Sequence, residues 1–201
     1  MATQAVFVPD RISFEEFLTA YDGVRAEWVD GTVVEMSPTS DRHVDISDFL
    51  ITLLRVLVVR TRAGVVRSSQ MAMRIGNVAR VPDLLFVAAE HAERVTPSHV
   101  QGPADLAIEI VSPDSRDRDR KQKFREYEQA GVREYWIVDP LTETVDLYRL
   151  GEDGRYAPVP PQGEPPRLAS TVLPRFWIDP RWLWSSPMPD PVDVFLEWGL
   201  I

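Results

Sequence analysis

Cysteine is absent from the 201-residue sequence, so disulfide bonds and thiolate-bound metals are excluded. The three histidines include no pair spaced as His-x-x-x-His, which argues against a histidine-rich zinc site. The longest apolar run, Phe49 to Val59, is interrupted by Thr52 and Arg55 and is too short to span a bilayer. Residues 1–10 lack the basic and apolar regions of a signal peptide. These absences predict a soluble, cytoplasmic protein without a membrane segment.

The charge of the chain is unevenly distributed. A net charge of −9 argues against strong, indiscriminate binding along DNA. One short strip, from Arg116 to Arg125, nevertheless holds six basic residues and only two acidic ones. This strip could contact phosphate groups within an otherwise acidic surface, or it could be the solvated face of a helix.

The N-terminal half contains recognisable helix and strand patterns. Ser13 to Glu16 form a capping box that opens a short helix through Phe17 and Tyr21. The segment from Ala26 to Met36 predicts a hairpin around Asp30-Gly31. A long helix with an apolar stripe from Ile46 to Val58 follows and ends at Gly64. Two further strands are predicted at Val65–Arg67 and Met71–Ile75.

The next two strands are almost continuously apolar, as expected for central strands that are covered on both faces. They run from Leu84 to Ala88 and from Leu106 to Val111, joined by a polar segment from Glu90 to Gly102. A helix from Asp117 to Ala130 stops at Gly131, and strands follow at Glu134–Val138 and Thr144–Arg149. This order predicts an α/β or α+β fold, with a mixed central sheet flanked by helices.

The composition changes after residue 150. Residues 1–150 have the patterns of a folded core, whereas residues 151–201 are rich in proline and tryptophan. We expect this C-terminal extension to pack on the core or on a dimer partner.

Two acidic residues mark the central strands. Asp83 follows Pro82 at the entry to the first strand, and Glu109 interrupts the second. A carboxylate within a central strand is costly unless it is paired or bound to a metal. Together the two carboxylates could hold Mg²⁺ or Mn²⁺ through hard oxygen ligands. Alternatively, Asp83 begins a strand at a turn, and Glu109 forms a buried ion pair with an arginine such as Arg116.

A lysine on the following helix could complete such a site by orienting or activating the attacking water. Tyr127 and its apolar neighbours define the inward face of that helix. Lys123 lies about 40° from the centre of this face and Lys121 about 120° away. We therefore select Lys123 as the catalytic lysine. The alternative is an ion pair between Asp119 and Lys123, one turn apart on the helix surface.

Several stretches of the chain resemble the Uma-type family of restriction endonucleases, which belongs to the PD-(D/E)XK nuclease superfamily. The matching stretches are Glu27-Trp-Val-Asp-Gly31, Met36-Ser-Pro38 with His43, Val81-Pro-Asp83, Asp105-Leu-Ala-Ile-Glu-Ile-Val-Ser-Pro113, Asp119 to Tyr127, and Ala130-Gly-Val-Arg-Glu-Tyr-Trp-Ile-Val-Asp-Pro140. The resemblance covers about residues 14–150 and implies a restriction-endonuclease-like core with Mg²⁺-dependent cleavage of DNA.

The superfamily usually places its lysine two residues after the glutamate, a position that Val111 occupies here. Lys123 matches the family's lysine in the spacing Asp119-x-x-x-Lys123-x-x-x-Tyr127. The lysine has therefore moved to the helix, or the site is inactive. An inactive member would be a domain that binds nucleic acid or protein without cutting.

Other residues are secondary candidates. Glu27 corresponds to the family's early glutamate and could be a metal ligand or a base, or an ordinary exposed strand residue. His43 could line the cleft or be a hydrogen-bonded core residue. Ser112 and Arg116 precede the helix and, with Arg120 and Lys121, could bind the DNA backbone. Tyr127, Tyr135 and Trp136 are assigned to packing. Because one site cuts one strand, a homodimer is the simplest route to double-strand cleavage.

Overall fold

A computed structural model describes residues 11–68, 70–113 and 115–201 of the chain. The prediction about a signal peptide concerns residues 1–10 and lies outside these described residues. The helices are α1 Phe14–Ala20, α2 Asp41–Thr61, α3 Phe124–Ala130 and α4 Pro191–Glu197. The strands are β1 Ala26–Val29, β2 Thr32–Glu35, β3 Gly64–Ser68, β4 Ala72–Ile75, β5 Val78–Arg80, β6 Leu84–Ala88, β7 His99–Gln101, β8 Leu106–Ile110, β9 Glu134–Asp139, β10 Thr144–Leu150, β11 Tyr156–Val159, β12 Leu168–Ala169 and β13 Trp177–Ile178. Single helical turns span Ala89–Arg94, Arg118–Lys123 and Pro180–Trp184.

The larger sheet has six strands in the order β11-β10-β9-β8-β6-β3. Only the β8–β9 pair is parallel among these neighbours, so the sheet is mixed, as predicted. Every residue of β8 and β9 is buried, because helices and loops cover both faces of these central strands. Helix α2 packs its apolar stripe of Ile46, Leu50 and Leu57 on one face, and Tyr127 of α3 packs on the other.

The smaller sheet has five strands in the order β2-β1-β5-β4-β7. The β1–β2 hairpin turns at Asp30 and Gly31, which both have positive φ, as the predicted two-residue turn requires. The capping box of Ser13 and Glu16 opens α1, whose Phe14 packs against Trp28. This sheet brings the β1 residues close to the entry of β6, where the candidate site lies.

The C-terminal extension packs on the larger sheet. Strand β11 pairs with β10 at the edge of the sheet, and Leu168, Phe176 and Trp198 join the same hydrophobic cluster as α2. No helix in the described part of the chain is long and apolar enough to cross a membrane.

Some elements differ from their predicted form. Strands β5 and β7 were not predicted, because both are short and carry polar residues and neither shows an apolar pattern. Strand β7 lies inside the segment from Glu90 to Gly102 that was predicted to be a polar connection. The predicted helix from Asp117 instead begins with a π-helical turn, Arg118–Lys123, before α3. Met71 precedes β4 rather than starting it.

Candidate functional site

Asp83 lies at the start of β6 and is almost fully buried. Its Oδ2 accepts a hydrogen bond from the backbone amide of Ile110 at 2.8 Å, which fixes the carboxylate against the end of β8. Its Oδ1 lies 2.9 Å from both Nη2 of Arg25 and Nε2 of His43. His43, near the start of α2, was predicted either to line the cleft or to be a hydrogen-bonded core residue. It is buried, it contacts Asp83 and it lines the pocket, so both descriptions apply.

Glu109 projects from the centre of β8 and meets Lys123. The Nζ of Lys123 lies 2.9 Å from Oε1 of Glu109, and the hydroxyl of Tyr127 donates to the same oxygen at 2.7 Å. Glu109 and Lys123 expose no more than 2% of their side chains. A lysine on the helix thus reaches the glutamate of the strand, while Val111 is buried in the apolar core.

Glu27 is fully buried in β1, which contradicts the alternative of an ordinary exposed strand residue. Its Oε1 lies 3.0 Å from Nζ of Lys123, and its Oε2 accepts from Nη1 of Arg80 at 2.8 Å. Arg80, in β5, also makes a two-pronged ion pair with Glu126 on α3, at 2.7 Å for both contacts. Glu27, itself held by Arg80, is therefore a second carboxylate in contact with the ammonium of Lys123.

The π-helical turn explains how Asp119 and Lys123 both face inward. A π-helical turn contains more residues than an α-helical turn, so side chains four apart align more closely than 100° per residue allows. Asp119 and Lys123 are both buried, and Oδ1 of Asp119 lies 3.3 Å from Nζ of Lys123. The predicted surface pair is therefore a buried one. Oδ1 of Asp119 has no hydrogen-bond partner in the described structure.

These side chains line a small pocket of about 40 Å³. Its lining includes Asp83, Glu109, Asp119, Lys123, His43, Arg25, Arg118 and Ser112. A cavity of this size has room for a few water molecules or a partly hydrated ion. Four of its lining residues have ionisable side chains that are almost fully buried, namely Asp83, Glu109, Asp119 and Lys123. Charged groups therefore surround the pocket in a part of the protein that little water reaches.

The pKa values of the buried groups follow from burial and neighbouring charges. Burial raises the pKa of Glu109 to about 8, despite the opposing charge of Lys123. Burial acts in the same direction on Glu27, but Lys123 and Arg80 outweigh it and lower the pKa of Glu27 to about 2. The pKa of Lys123 is raised, since the nearby carboxylates outweigh its burial. Lys123 therefore stays charged against ionised Glu27, while Glu109 can hold a proton near neutral pH.

The residues predicted to bind the DNA backbone lie in different surroundings. Of Ser112, Arg116, Arg120 and Lys121, only Ser112 lines the pocket. Arg116 and Arg120 pair with the fully buried Asp139, at 3.4 and 3.2 Å. The suggested pair between Glu109 and Arg116 is absent, because Lys123 occupies that carboxylate. Lys121 is exposed and pairs with Asp117.

Five contributors to the site were not selected as site residues from the sequence: Arg25, Arg80, Arg118, Asp119 and Tyr127. Tyr127 packs in the core, as assigned, and its hydroxyl also donates a hydrogen bond to Glu109. Asp119 and Tyr127 flank Lys123 at four-residue spacing, which could have placed all three on one face of the helix. Arg25 and Arg80 carry no comparable pattern, because their partners are distant in sequence.

The carboxylates fit a small, hard cation. Asp83 and Glu109 offer oxygen ligands beside a pocket with room for water, and Oδ1 of Asp119, which lies 3.3 Å from Nζ of Lys123 but accepts no hydrogen bond, is a further buried acceptor. No cluster of three or more histidine or acidic side chains that could hold a metal occurs within residues 11–68, 70–113 and 115–201. Mg²⁺ usually keeps several waters and takes one or two carboxylates, so its ligand set need not contain three such side chains.

Comparisons with known proteins bear on the family and the fold of the chain. The model of a family described as "Uma2: Putative restriction endonuclease" matches residues 14–181. A solved structure, "a putative nuclease belonging to DUF820 from Anabaena variabilis ATCC 29413", is similar with a TM-score of 0.66 and 18% identity, over 94% of this chain and 99% of that chain. At this identity the likeness shows a shared fold alone, and it confirms the predicted fold class. No curated protein matches the sequence. The family match confirms the resemblance inferred from the sequence.

Proposed function

Because this chain belongs to the Uma2 family of restriction endonucleases, we propose that it is a metal-dependent endonuclease that hydrolyses phosphodiester bonds in DNA. One observation carries the proposal. The buried ammonium of Lys123 lies 2.9 Å from Glu109, in a pocket that Asp83 also lines. Two carboxylates and one fixed cation beside a water-sized space are the groups that hydrolysis of a phosphodiester needs.

In this proposal Asp83 and Glu109 hold Mg²⁺ or Mn²⁺. When bound, the ion would polarise a phosphoryl oxygen and make a water more acidic. Lys123 stays protonated and donates hydrogen bonds to the attacking water or to the negative charge that develops on the phosphoryl oxygens. Glu27 restrains the ammonium, because it contacts both Lys123 and Arg80.

His43 supports Asp83 in the proposed site. Its ring nitrogen lies 2.9 Å from Oδ1 of Asp83, and a hydrogen bond from Nε2 would fix the rotamer of that carboxylate. A pocket of this size holds one scissile phosphate. Cleavage of both strands therefore requires a second copy of the chain, and we propose a homodimer for that step.

The direct test is cleavage of supercoiled plasmid and single-stranded DNA with Mg²⁺, Mn²⁺ or EDTA, with RNA as a parallel substrate. We expect nicked or linear plasmid with either metal and none with EDTA. Glu109→Gln and Lys123→Met should each lower the rate by a hundredfold or more, in the range found when one electrostatic catalytic group is removed. Arg155→Met is the matched control, since Arg155 is exposed and pairs only with Glu128.

The outcomes separate the alternatives. Nicked product at low protein concentration and linear product at high concentration would support the homodimer. If the purified protein binds DNA but never cuts it with either metal, the chain is a binding domain that has lost catalysis. If Glu109→Gln and Lys123→Met cut as fast as Arg155→Met, the chemistry lies elsewhere and the proposed site is wrong.

A further inference from the structure

Two arginines line the pocket beside its carboxylates. Arg25 precedes β1 and Arg118 begins the π-helical turn, so they come from opposite ends of the core sequence. Their side chains are 27% and 23% exposed, so neither side chain is closed off from solvent. Both therefore combine a buried position in the pocket wall with access to a ligand.

Each of these two arginines has an unused hydrogen-bond donor. The Nε of Arg25 and the Nε of Arg118 are buried and have no hydrogen-bond partner among the described residues. A buried donor without an acceptor is unfavourable, so an acceptor is expected there in the working state of the protein. Because the donors belong to guanidinium groups, an anionic acceptor with several oxygens fits them best.

The neighbouring arginines are engaged differently. Each of the three nitrogens of Arg80 donates a hydrogen bond to Glu27 or Glu126, at 2.7 to 2.8 Å. Arg120 also has an unpaired Nε, but its other nitrogens bind Asp139 and Asp146, and it does not line the pocket. Arg118, by contrast, reaches Glu27 only at 4.0 Å, and Arg80 already occupies that oxygen.

Arg25 has a further property, because it neutralises a proposed metal ligand. Its Nη2 lies 2.9 Å from Oδ1 of Asp83, the oxygen that His43 also contacts. A divalent cation on this carboxylate would repel the guanidinium and compete with it for the oxygen. A phosphate group drawn to the same cation would then be the nearest new acceptor for Arg25.

We infer that Arg25 and Arg118 bind the phosphodiester group of the substrate, and that Arg25 occupies Asp83 until a divalent cation displaces it. The inference rests on the proposed function, because it places a metal at Asp83. It assigns the phosphate contacts of the site to Arg25 and to one member of the basic strip, Arg118, whereas Arg116, Arg120 and Lys121 lie outside the pocket lining.

The first test measures binding of a short DNA duplex in Ca²⁺, which replaces Mg²⁺ to slow cleavage. Arg25→Met and Arg118→Met should each weaken binding by about tenfold, the loss expected for one set of charge-assisted hydrogen bonds. Each should also reduce the salt dependence of binding, with a change in slope of about 0.9 per lost phosphate contact. The control is Arg74→Met, since Arg74 is 30% exposed, pairs with Glu15 and lies outside the pocket.

The second test measures Mn²⁺ binding by calorimetry without DNA. Arg25→Met should bind Mn²⁺ about tenfold more tightly than the parent, because a competing positive charge has been removed. Arg25→Lys keeps the charge and should bind Mn²⁺ like the parent, yet bind DNA more weakly because the fork of donors is lost. If Arg25 only held Asp83 in position for the metal, the change in Mn²⁺ affinity would be in the opposite direction, and Arg25→Met would bind Mn²⁺ more weakly than the parent.

The two proposals fail in different ways. If the parent protein binds neither Mn²⁺ nor DNA, the proposed function and this inference both fall. If the parent binds both, but Arg25→Met and Arg118→Met bind DNA as tightly as Arg74→Met, only the arginine assignment is wrong. A competition experiment distinguishes the ligand by displacing a labelled DNA duplex from the parent protein. Unlabelled DNA should displace it at far lower concentrations than inorganic phosphate does. Equal displacement by the two would overturn the assignment to a nucleic-acid phosphodiester.

Discussion

Lys123→Met is the substitution that most directly tests the buried charge network. Lys123 is fully buried, and its ammonium lies within 3.3 Å of carboxylate oxygens of Glu27, Glu109 and Asp119. Methionine has a similar length and no charge, so the substitution removes the cation without leaving a large cavity. The three carboxylates then lose their shared partner while remaining out of water.

The expected loss of stability is about 3 kcal/mol at pH 7, at the low end of the range for breaking a buried ion pair. The low end applies because Glu109 can take up a proton and Glu27 keeps its contact with Arg80. In the parent protein without metal, the raised pKa of Glu109 stabilises the folded state at low pH. That contribution is lost as pH rises from about 4.5 to about 8.

The pH dependence of the variant follows from the same reasoning. Without Lys123 the pKa of Glu109 rises further, so the folded variant still holds the proton above pH 8. Above pH 8 the free energy of unfolding of the variant therefore still falls by about 1.4 kcal/mol per pH unit, whereas that of the parent no longer falls on account of Glu109. The gap between parent and variant should therefore widen from about 3 kcal/mol at pH 7 to about 4 kcal/mol at pH 9.

Urea unfolding followed by tryptophan fluorescence, at pH 7 and pH 9 in EDTA, measures this gap. Lys121→Met is the matched control, because Lys121 is 70% exposed and pairs with Asp117 one turn away. Such surface pairs contribute only a few tenths of a kcal/mol. If Lys123→Met were no more destabilising than Lys121→Met, or if its loss did not grow with pH, the account of a buried, coupled network would be refuted.

Three further substitutions test other parts of the structure by urea unfolding. Arg80→Met leaves Glu27 and Glu126 without their shared cation and should lower the free energy of unfolding by about 3–5 kcal/mol. A loss below 1 kcal/mol would show that these ion pairs form no buried network. Tyr127→Phe removes the hydroxyl that donates to Glu109 at 2.7 Å and should cost about 1–3 kcal/mol, whereas an unchanged midpoint would place that hydroxyl in contact with water. Leu57→Ala in the core of α2 should cost about 2–5 kcal/mol and leave Mn²⁺ affinity unchanged; altered Mn²⁺ affinity would show that the core and the pocket are coupled.

The order of elements and the inward position of the main candidate residues could be predicted from local patterns. Glu109 stands out because a carboxylate interrupts a continuous apolar run, and that exception to the strand pattern has few structural explanations. Lys123 could be selected over Lys121 from helical geometry alone, and the structure brings it to Glu109. These inferences succeed because each depends only on the residues of one element.

Residues whose partners are distant in sequence could not be predicted in the same way. Arg25 is 58 residues from Asp83 and Arg80 is 53 residues from Glu27, and no periodicity links such pairs. The π-helical turn was also missed, since a single extra residue in a turn leaves no mark on an apolar pattern read at 100° per residue. That turn buries Asp119, which the sequence suggested lay on the surface.

The balance of charge around the pocket separates this network from an inert core cluster. The carboxylates that it joins are Glu27, Asp83, Glu109, Asp119 and Glu126. Its permanent cations are Arg25, Arg80, Arg118 and Lys123. The carboxylates exceed the permanent cations by one, and the raised pKa of Glu109 shows where that excess is relieved by a proton.

An excess of one carboxylate over the permanent cations, next to a cavity, does not help a network that only stabilises the fold. Glu134 is equally buried, but the backbone and hydroxyl of Thr171 donate to it and it does not line this pocket. Glu109 instead faces a pocket with room for water, where a cation could replace the proton. Because the proton and a cation compete for the same carboxylate, metal should bind more tightly at pH 8 than at pH 6, and calorimetry with Mn²⁺ at both values checks this. Equal affinity at the two pH values would mean that Glu109 takes no part in binding the ion.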